Sequence, residues 1–206
     1  MKRRAFIIAA AALGLSGGAA QSQQAATTYN IELVIFRASS AQGGAENWSA
    51  EASATGVAAS SPEGTGGGSQ LGRLVQKLPA STFQLNDVES KLKSTGIYVP
   101  IAHVAWTQTA SAWGRRSGVR IDQIGLEAAG LTGSVSLERG QYLHLGLVLS
   151  YSPSTPPAGA GAAPGTTFTL NESRRVKFYE RNYYDHPAFG VIALVTPAQG
   201  ARPAGR

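Results

Sequence analysis

Residues 141–151, QYLHLGLVLSY, decide the fold class because their side chains alternate between two faces. One face carries the apolar side chains of Leu143, Leu145, Leu147, Leu149 and Tyr151, and the other carries Tyr142, His144 and Ser150. This period of two predicts a strand of an antiparallel sheet with one buried face. The dipeptide Arg139-Gly140 just before it predicts a tight link to another short strand at residues 131–137.

Other segments on both sides extend the same sheet. Residues 29–37, YNIELVIFR, are apolar on both faces, which predicts a central strand. Residues 97–108 form a strand that lies at an edge or carries a bulge at Pro100, since proline cannot donate to a ladder. Further strands are predicted at residues 119–124, as one long strand at 167–181, and at 189–195 after a turn of Asp185, His186 and Pro187.

Two helices are predicted between the first strand and residue 97. In the first, Leu71, Leu74, Val75 and Leu78 recur at helical spacing, and Pro79 ends it. The second starts at Asn86 as N-cap, with Glu89 completing a capping box, and ends at Gly96. The predicted fold is therefore α+β, an antiparallel sheet of about six to seven strands with two helices inserted after the first strand.

The N-terminus has the pattern of a signal peptide. Lys2, Arg3 and Arg4 precede an apolar run at residues 5–15, which is too short to span a bilayer, and cleavage is predicted after Ala20. Residues 21–28 are predicted to be a short N-terminal segment that leads into a single domain at residues 29–197. Two low-complexity stretches at 38–69 and 153–165 are predicted to be flexible insertions, and residues 198–206 a disordered tail. No transmembrane segment is predicted in the mature chain.

Charge and composition exclude several functions. The first 20 residues hold three of the 18 basic residues and none of the 12 acidic ones, so the mature chain is only near +3. Such a mild charge does not favour nucleic-acid binding. The chain has no cysteine, and its three histidines are scattered. Therefore no disulfide, no metal site and no cofactor is predicted. No motif of a serine hydrolase, phosphate-binding loop or metalloprotease is present, and no catalytic residue is predicted.

Residues 174–187, RRVKFYERNYYDHP, contain the densest group of cations and aromatic rings. On one long strand, alternate side chains would share a face. Ligand-binding candidates on one such face are Arg175, Lys177, Tyr179, Arg181 and Tyr183. The other face carries Arg174, which is a further ligand-binding candidate, together with Glu180. It also carries Phe178 and Tyr184, which are candidates for the core. An arginine on either face could donate paired hydrogen bonds to a carboxylate, or simply be a solvated or ion-paired surface charge.

Four segments in this order resemble the CsiV family of periplasmic peptidoglycan-binding proteins. They are YNIELVIFR, YVPIAHVAWTQ, LTGSVSLERGQYLHLGLVLSY and RRVKFYERNYYDHPAFGVIALVTP. The last is the most specific, because its paired arginines and Tyr-x-Asp-His-Pro keep a fixed spacing. The resemblance implies a periplasmic, non-enzymatic role in cell-wall assembly or its regulation, with peptidoglycan as ligand and a cell-wall synthase or its activator as a candidate protein partner.

Two further candidates and two alternatives remain open. Trp106 is either a platform for a sugar ring or a core residue. His186 is fixed beside Pro187, and its pairing with Asp185 suggests either a structural turn or an exported hydrolase acting on a cell-envelope substrate. A structural adaptor that binds through an exposed sheet edge is compatible with the peptidoglycan-binding hypothesis.

Overall fold

Ten strands and one α-helix make up the described part of the chain. The computed structural model describes residues 27–39, 75–158 and 161–198. The predicted signal peptide, most of the insertion at 38–69 and nearly all of the tail lie outside these residues. The elements are β1 (Thr28–Ala38), β2 (Val75–Lys77), a 3-10 turn (Ala80–Thr82), α1 (Asn86–Thr95), β3 (Tyr98–Thr109), β4 (Ser111–Ala112), β5 (Gly118–Arg120), β6 (Leu131–Arg139), β7 (Leu143–Tyr151), β8 (Phe168–Val176), β9 (Arg181–His186) and β10 (Phe189–Pro197).

The strands form two sheets of five strands each. Sheet 1 has the order β2-β3-β1-β10-β9, and every pair in it is antiparallel. Sheet 2 has the order β4-β6-β7-β8, with β5 also paired to β6. The prediction of one sheet with six to seven strands is therefore wrong, although its antiparallel α+β character is confirmed. Alternation within a strand reports which face is buried, but it does not report which sheet the strand joins.

The two sheets pack face to face around one shared apolar core. Ile31, Leu33 and Ile35 of β1 are buried in the same cluster as Leu145 and Leu147 of β7. The hydroxyl of Tyr184 on β9 crosses between the sheets and donates to the Leu145 carbonyl at 3.0 Å. The predicted central position of β1 is confirmed, since it pairs with β3 on one side and β10 on the other.

Helix α1 covers the outer face of sheet 1 and forms a third layer. Val34 and Phe36 of β1 point away from the sheet–sheet core and pack with Leu85, Leu92 and Leu194. Alternate residues of β1 therefore face two different layers, and both faces of the strand are buried in apolar surroundings. Within the described residues, no helix is long and apolar enough to cross a membrane.

The predicted helices are only partly confirmed. The second exists, and it ends at Gly96 in the left-handed conformation with a φ of 67°. Its N-cap is Leu85, however, and the Glu89 carboxylate contacts His103 and Lys93 rather than completing a capping box. The first predicted helix is wrong where the structure describes it, because residues 75–77 are strand β2, paired with β3.

Two irregularities shape the sheets. The predicted bulge near Pro100 is confirmed, since Ile35 pairs with Ala102 but Phe36 with Pro100. The predicted long strand at 167–181 is wrong, because the chain turns at residues 177–180 and passes from β8 in sheet 2 to β9 in sheet 1. Tyr179 in this turn has a φ of 62°, which few residues other than glycine adopt.

Candidate functional site

The turn between β8 and β9 divides the predicted binding residues between two sheets. Arg175 ends up on β8 of sheet 2, Lys177 and Tyr179 lie in the turn, and Arg181 and Tyr183 lie on β9 of sheet 1. These five side chains therefore do not form the single basic and aromatic face that one continuous strand would produce. The structure keeps Arg175 and Lys177 together and separates them from Arg181 and Tyr183.

Arg175 and Lys177 line a cleft where the β6–β7 link meets the end of β8. The register of these strands, with Leu143 opposite Val176, brings the link and the turn together. The cleft has a volume of about 290 Å³. It is lined by Tyr29, Arg139, Gln141, Tyr142, Leu143, Arg175, Val176, Lys177 and Phe178. We call this the basic cleft.

Aromatic rings form the walls of the basic cleft and orient its arginines. The Arg139 guanidinium donates to the Tyr29 hydroxyl at 2.6 Å. Phe178 stacks on Tyr29 with ring centroids 5.9 Å apart and an interplanar angle of 21°. The Arg175 guanidinium lies 3.5 Å from the centroid of Tyr142. Stacking uses the flat face of a guanidinium, so its N–H groups remain available at the edge.

The basic cleft carries more positive charge than its neighbours neutralise. Lys177 Nζ lies 3.5 Å from a Glu180 carboxylate oxygen, and both side chains are largely exposed. Among the residues that the structure describes, neither Arg139 nor Arg175 has a carboxylate within ion-pair distance. An arginine without a carboxylate partner is suited to bind an external one, with two parallel hydrogen bonds.

Arg174 and Arg181 make structural contacts instead. Arg174 forms an ion pair with Glu172, donates to the Tyr183 carbonyl at 2.7 Å and lies 4.6 Å above the Tyr184 ring. Arg181 contacts both carboxylate oxygens of Asp87 on α1, at 2.9 and 3.0 Å. The two cations therefore hold sheet edges and the helix in place, on surfaces away from the basic cleft.

Asp185 and His186 do not form a catalytic couple. The Asp185 carboxylate accepts a hydrogen bond from the Tyr183 hydroxyl at 2.7 Å. His186 Nδ1 accepts from the Ala188 amide at 3.1 Å, and its ring lies between Phe168 and Phe189. Because neighbouring residues on a strand point to opposite faces, the carboxylate does not orient the imidazole. The hydrolase hypothesis loses the pair on which it rested.

Trp106 is a core residue and not a sugar platform. Its side chain is fully buried between the sheets, and its indole N–H donates to Gln108 at 2.7 Å. Of the two other aromatic core candidates, Tyr184 is confirmed as buried, whereas Phe178 is 45% exposed. A buried ring offers no face to a ligand, whereas the rings of Tyr142 and Phe178 in the basic cleft are exposed.

A second array of charged groups, centred on the buried side chains of His103 and Glu32, lies under α1. His103 Nε2 lies 2.7 Å from Glu32 and Nδ1 lies 2.8 Å from Glu89, which also pairs with Lys93. Glu32 in addition accepts hydrogen bonds from the amides of Gln84 and Leu85. Burial lowers the pKa of His103, but the hydrogen bonds and charges of the two glutamates outweigh it and raise the pKa above 6.5. Both ring nitrogens are occupied, so neither can bind a metal.

A comparison with protein families identifies the chain. The model of the family described as "Peptidoglycan-binding protein, CsiV" matches residues 5–198. The chain belongs to the CsiV family. The comparisons with curated proteins and with solved structures gave no match.

Residues of this CsiV family member that sequence reasoning missed lie mainly in the β6–β7 link. Arg139, Gln141 and Tyr142 join the cleft only because β7 pairs with β8 in a register that no local pattern reports. Tyr29 was expected in a strand and Phe178 in the core. The sequence RGQY at residues 139–142 could have indicated these residues, because a cation and an aromatic ring flank the tight link between two strands.

Proposed function

We propose that this chain is a non-enzymatic, periplasmic peptidoglycan-binding protein that acts in cell-wall assembly or its regulation. Its membership of the CsiV family supports peptidoglycan as the ligand. The observation that carries the proposal is the basic cleft, where Arg139, Arg175 and Lys177 converge and neither arginine is neutralised by a carboxylate among the described residues. Peptide stems of peptidoglycan carry carboxylates, which these cations are suited to bind.

The decisive experiment is co-sedimentation of the purified protein with isolated sacculi. The double variant Arg175→Ala, Lys177→Ala should bind at least about tenfold more weakly, because charge-assisted hydrogen bonds contribute roughly 1.5–3 kcal/mol each. Both side chains are exposed, so the variant should unfold at the same urea concentration as the wild type.

The matched control removes the same charge from the surface beside α1. The variant Lys91→Ala, Arg181→Ala should sediment like the wild type, because both residues line the groove beside α1 and not the basic cleft. Equal weakening in the two double variants would show that binding follows net charge alone and would refute the cleft. Failure of the wild-type protein to sediment would refute peptidoglycan as the ligand.

Export is the second part of the proposal. It rests on the signal-peptide pattern of residues 1–20 and on the cell-envelope ligand of the family. Intact-mass measurement on protein from the periplasmic fraction should show the loss of about 20 N-terminal residues. Protein that retains Met1 in that fraction, or that stays in the cytoplasm, would contradict this part.

A protein partner would connect wall binding to wall synthesis. The partner proposed for this role is a cell-wall synthase or its activator. Purified synthase should change its rate of glycan polymerisation when the protein is added, and the cleft variant should change it less. An unchanged rate with wild-type protein would remove the synthase from the proposal and leave peptidoglycan binding untouched.

A further inference from the structure

The outer face of sheet 2 carries two large exposed aromatic rings next to the basic cleft. Trp113 is 59% exposed and Tyr142 is 43% exposed. The Trp113 ring lies 4.2 Å from the ring of His144, and the Arg175 guanidinium lies 3.5 Å from the centroid of Tyr142. His144 and Arg175 are directly opposite each other on β7 and β8. These four side chains form a continuous row, which we call the aromatic strip.

We propose that the aromatic strip binds the glycan strand of peptidoglycan by stacking sugar rings on Trp113 and Tyr142. This inference rests on the proposed function and assigns the two components of the polymer to two adjoining surfaces. The C–H bonds on one face of a sugar ring make that face apolar, and the electron-rich face of an indole or phenol ring attracts it. The cations of the basic cleft then bind the stem peptide.

The groups beside the strip are polar and mostly uncharged, as a glycan requires. In the next row of residues across the outer face of sheet 2, Ser136 of β6 and Ser173 of β8 flank Gly146 of β7. Neither serine hydroxyl has a hydrogen-bond partner among the described residues, so both can bind sugar hydroxyl or acetamido groups. Glu138 lies in the same row across the sheet as His144 and Arg175. Its carboxylate accepts hydrogen bonds from the amides of Gly114 and Arg116.

Continuity between the strip and the cleft identifies the occupant. Tyr142 and Arg175 line the basic cleft and also belong to the aromatic strip. A ligand that covers both surfaces must offer apolar ring faces with hydroxyl groups on one side and carboxylates on the other. Peptidoglycan has this composition, with stem peptides attached directly to its glycan.

The test separates the two components of the polymer. The probes are peptide-free glycan strands, prepared from sacculi with an amidase, and free stem peptides. Trp113→Ala should weaken binding to the glycan strands about tenfold, the upper range expected for loss of an aromatic contact. It should leave stem-peptide affinity unchanged within about twofold. Trp113→Phe should retain most of the glycan affinity, because it keeps an aromatic ring.

The control is Ile97→Ala, which removes a side chain of similar exposure (46%) outside the aromatic strip and should leave both affinities unchanged. If Trp113→Ala binds glycan strands like the wild type, or weakens both probes equally, the aromatic strip is not a glycan site. If wild-type protein sediments with intact sacculi but not with peptide-free strands, this inference fails and the proposed function stands. If it binds none of the three, both fail.

Discussion

His103→Gln tests how helix α1 is held on sheet 1. The imidazole bridges Glu32 on β1 and Glu89 on α1 at 2.7 and 2.8 Å, so the substitution removes two charge-assisted contacts at once. Breaking a buried ion pair costs about 3–5 kcal/mol. We expect a loss near the lower end, about 3 kcal/mol at pH 6, for two reasons. Glu89 is 24% exposed, and Glu32 keeps the amides of Gln84 and Leu85.

The loss should depend on pH with a definite sign. The pKa of folded His103 is raised above 6.5, so its contribution to stability is complete below that value and is lost as pH rises through the folded pKa. The difference between the wild type and His103→Gln should therefore shrink at alkaline pH, by about 1.4 kcal/mol per unit of pKa shift. Lys93 and His103 lower the pKa of Glu89, so its contribution is lost only when pH falls through that lowered value.

Urea unfolding from about pH 5.5 to about pH 9 measures this difference. The control is Leu92→Ala, which removes apolar packing between α1 and sheet 1 but no titratable group. The loss of stability that it causes should therefore not vary with pH in the way that the loss for His103→Gln does. A loss for His103→Gln that stays constant across the whole pH range would refute the idea that a protonated imidazole holds the helix.

Three further substitutions separate packing from binding. Trp106→Ala should destabilise the protein by roughly 3–5 kcal/mol in urea unfolding, because the indole is fully buried. Phe178→Ala should cost only about 1 kcal/mol, since its ring is half exposed on Tyr29, yet it should reduce sedimentation with sacculi. Arg174→Ala should lower the unfolding midpoint and leave sedimentation unchanged, because its contacts to Glu172 and Tyr184 lie within the protein.

Alternation in the sequence predicted the buried faces of β1 and β7, because the side-chain period is a local property. It assigned the two faces of β1 and β7 correctly. It could not predict the turn between β8 and β9, since residues 177–180 contain neither glycine nor proline. Tyr179 adopts a φ of 62° there, a conformation that normally indicates glycine in sequence analysis. The prediction of one continuous strand placed Arg175 and Arg181 on the same face. In the structure they lie on different strands, in different sheets.

Arg174 and Arg175 show why candidate binding residues could not be chosen from residue types alone. The two are identical and adjacent, and on a strand they must point to opposite faces. The inner-facing Arg174 is held by a carboxylate, a carbonyl and an aromatic ring of the protein itself. Among the described residues, the outer-facing Arg175 contacts Tyr142 through its flat face and has no carboxylate partner, so its hydrogen-bonding edge is open to solvent. The two arginines differ only in the face of β8 from which each side chain extends and in the neighbours that the register of β7 with β8 provides. Both features belong to the tertiary structure.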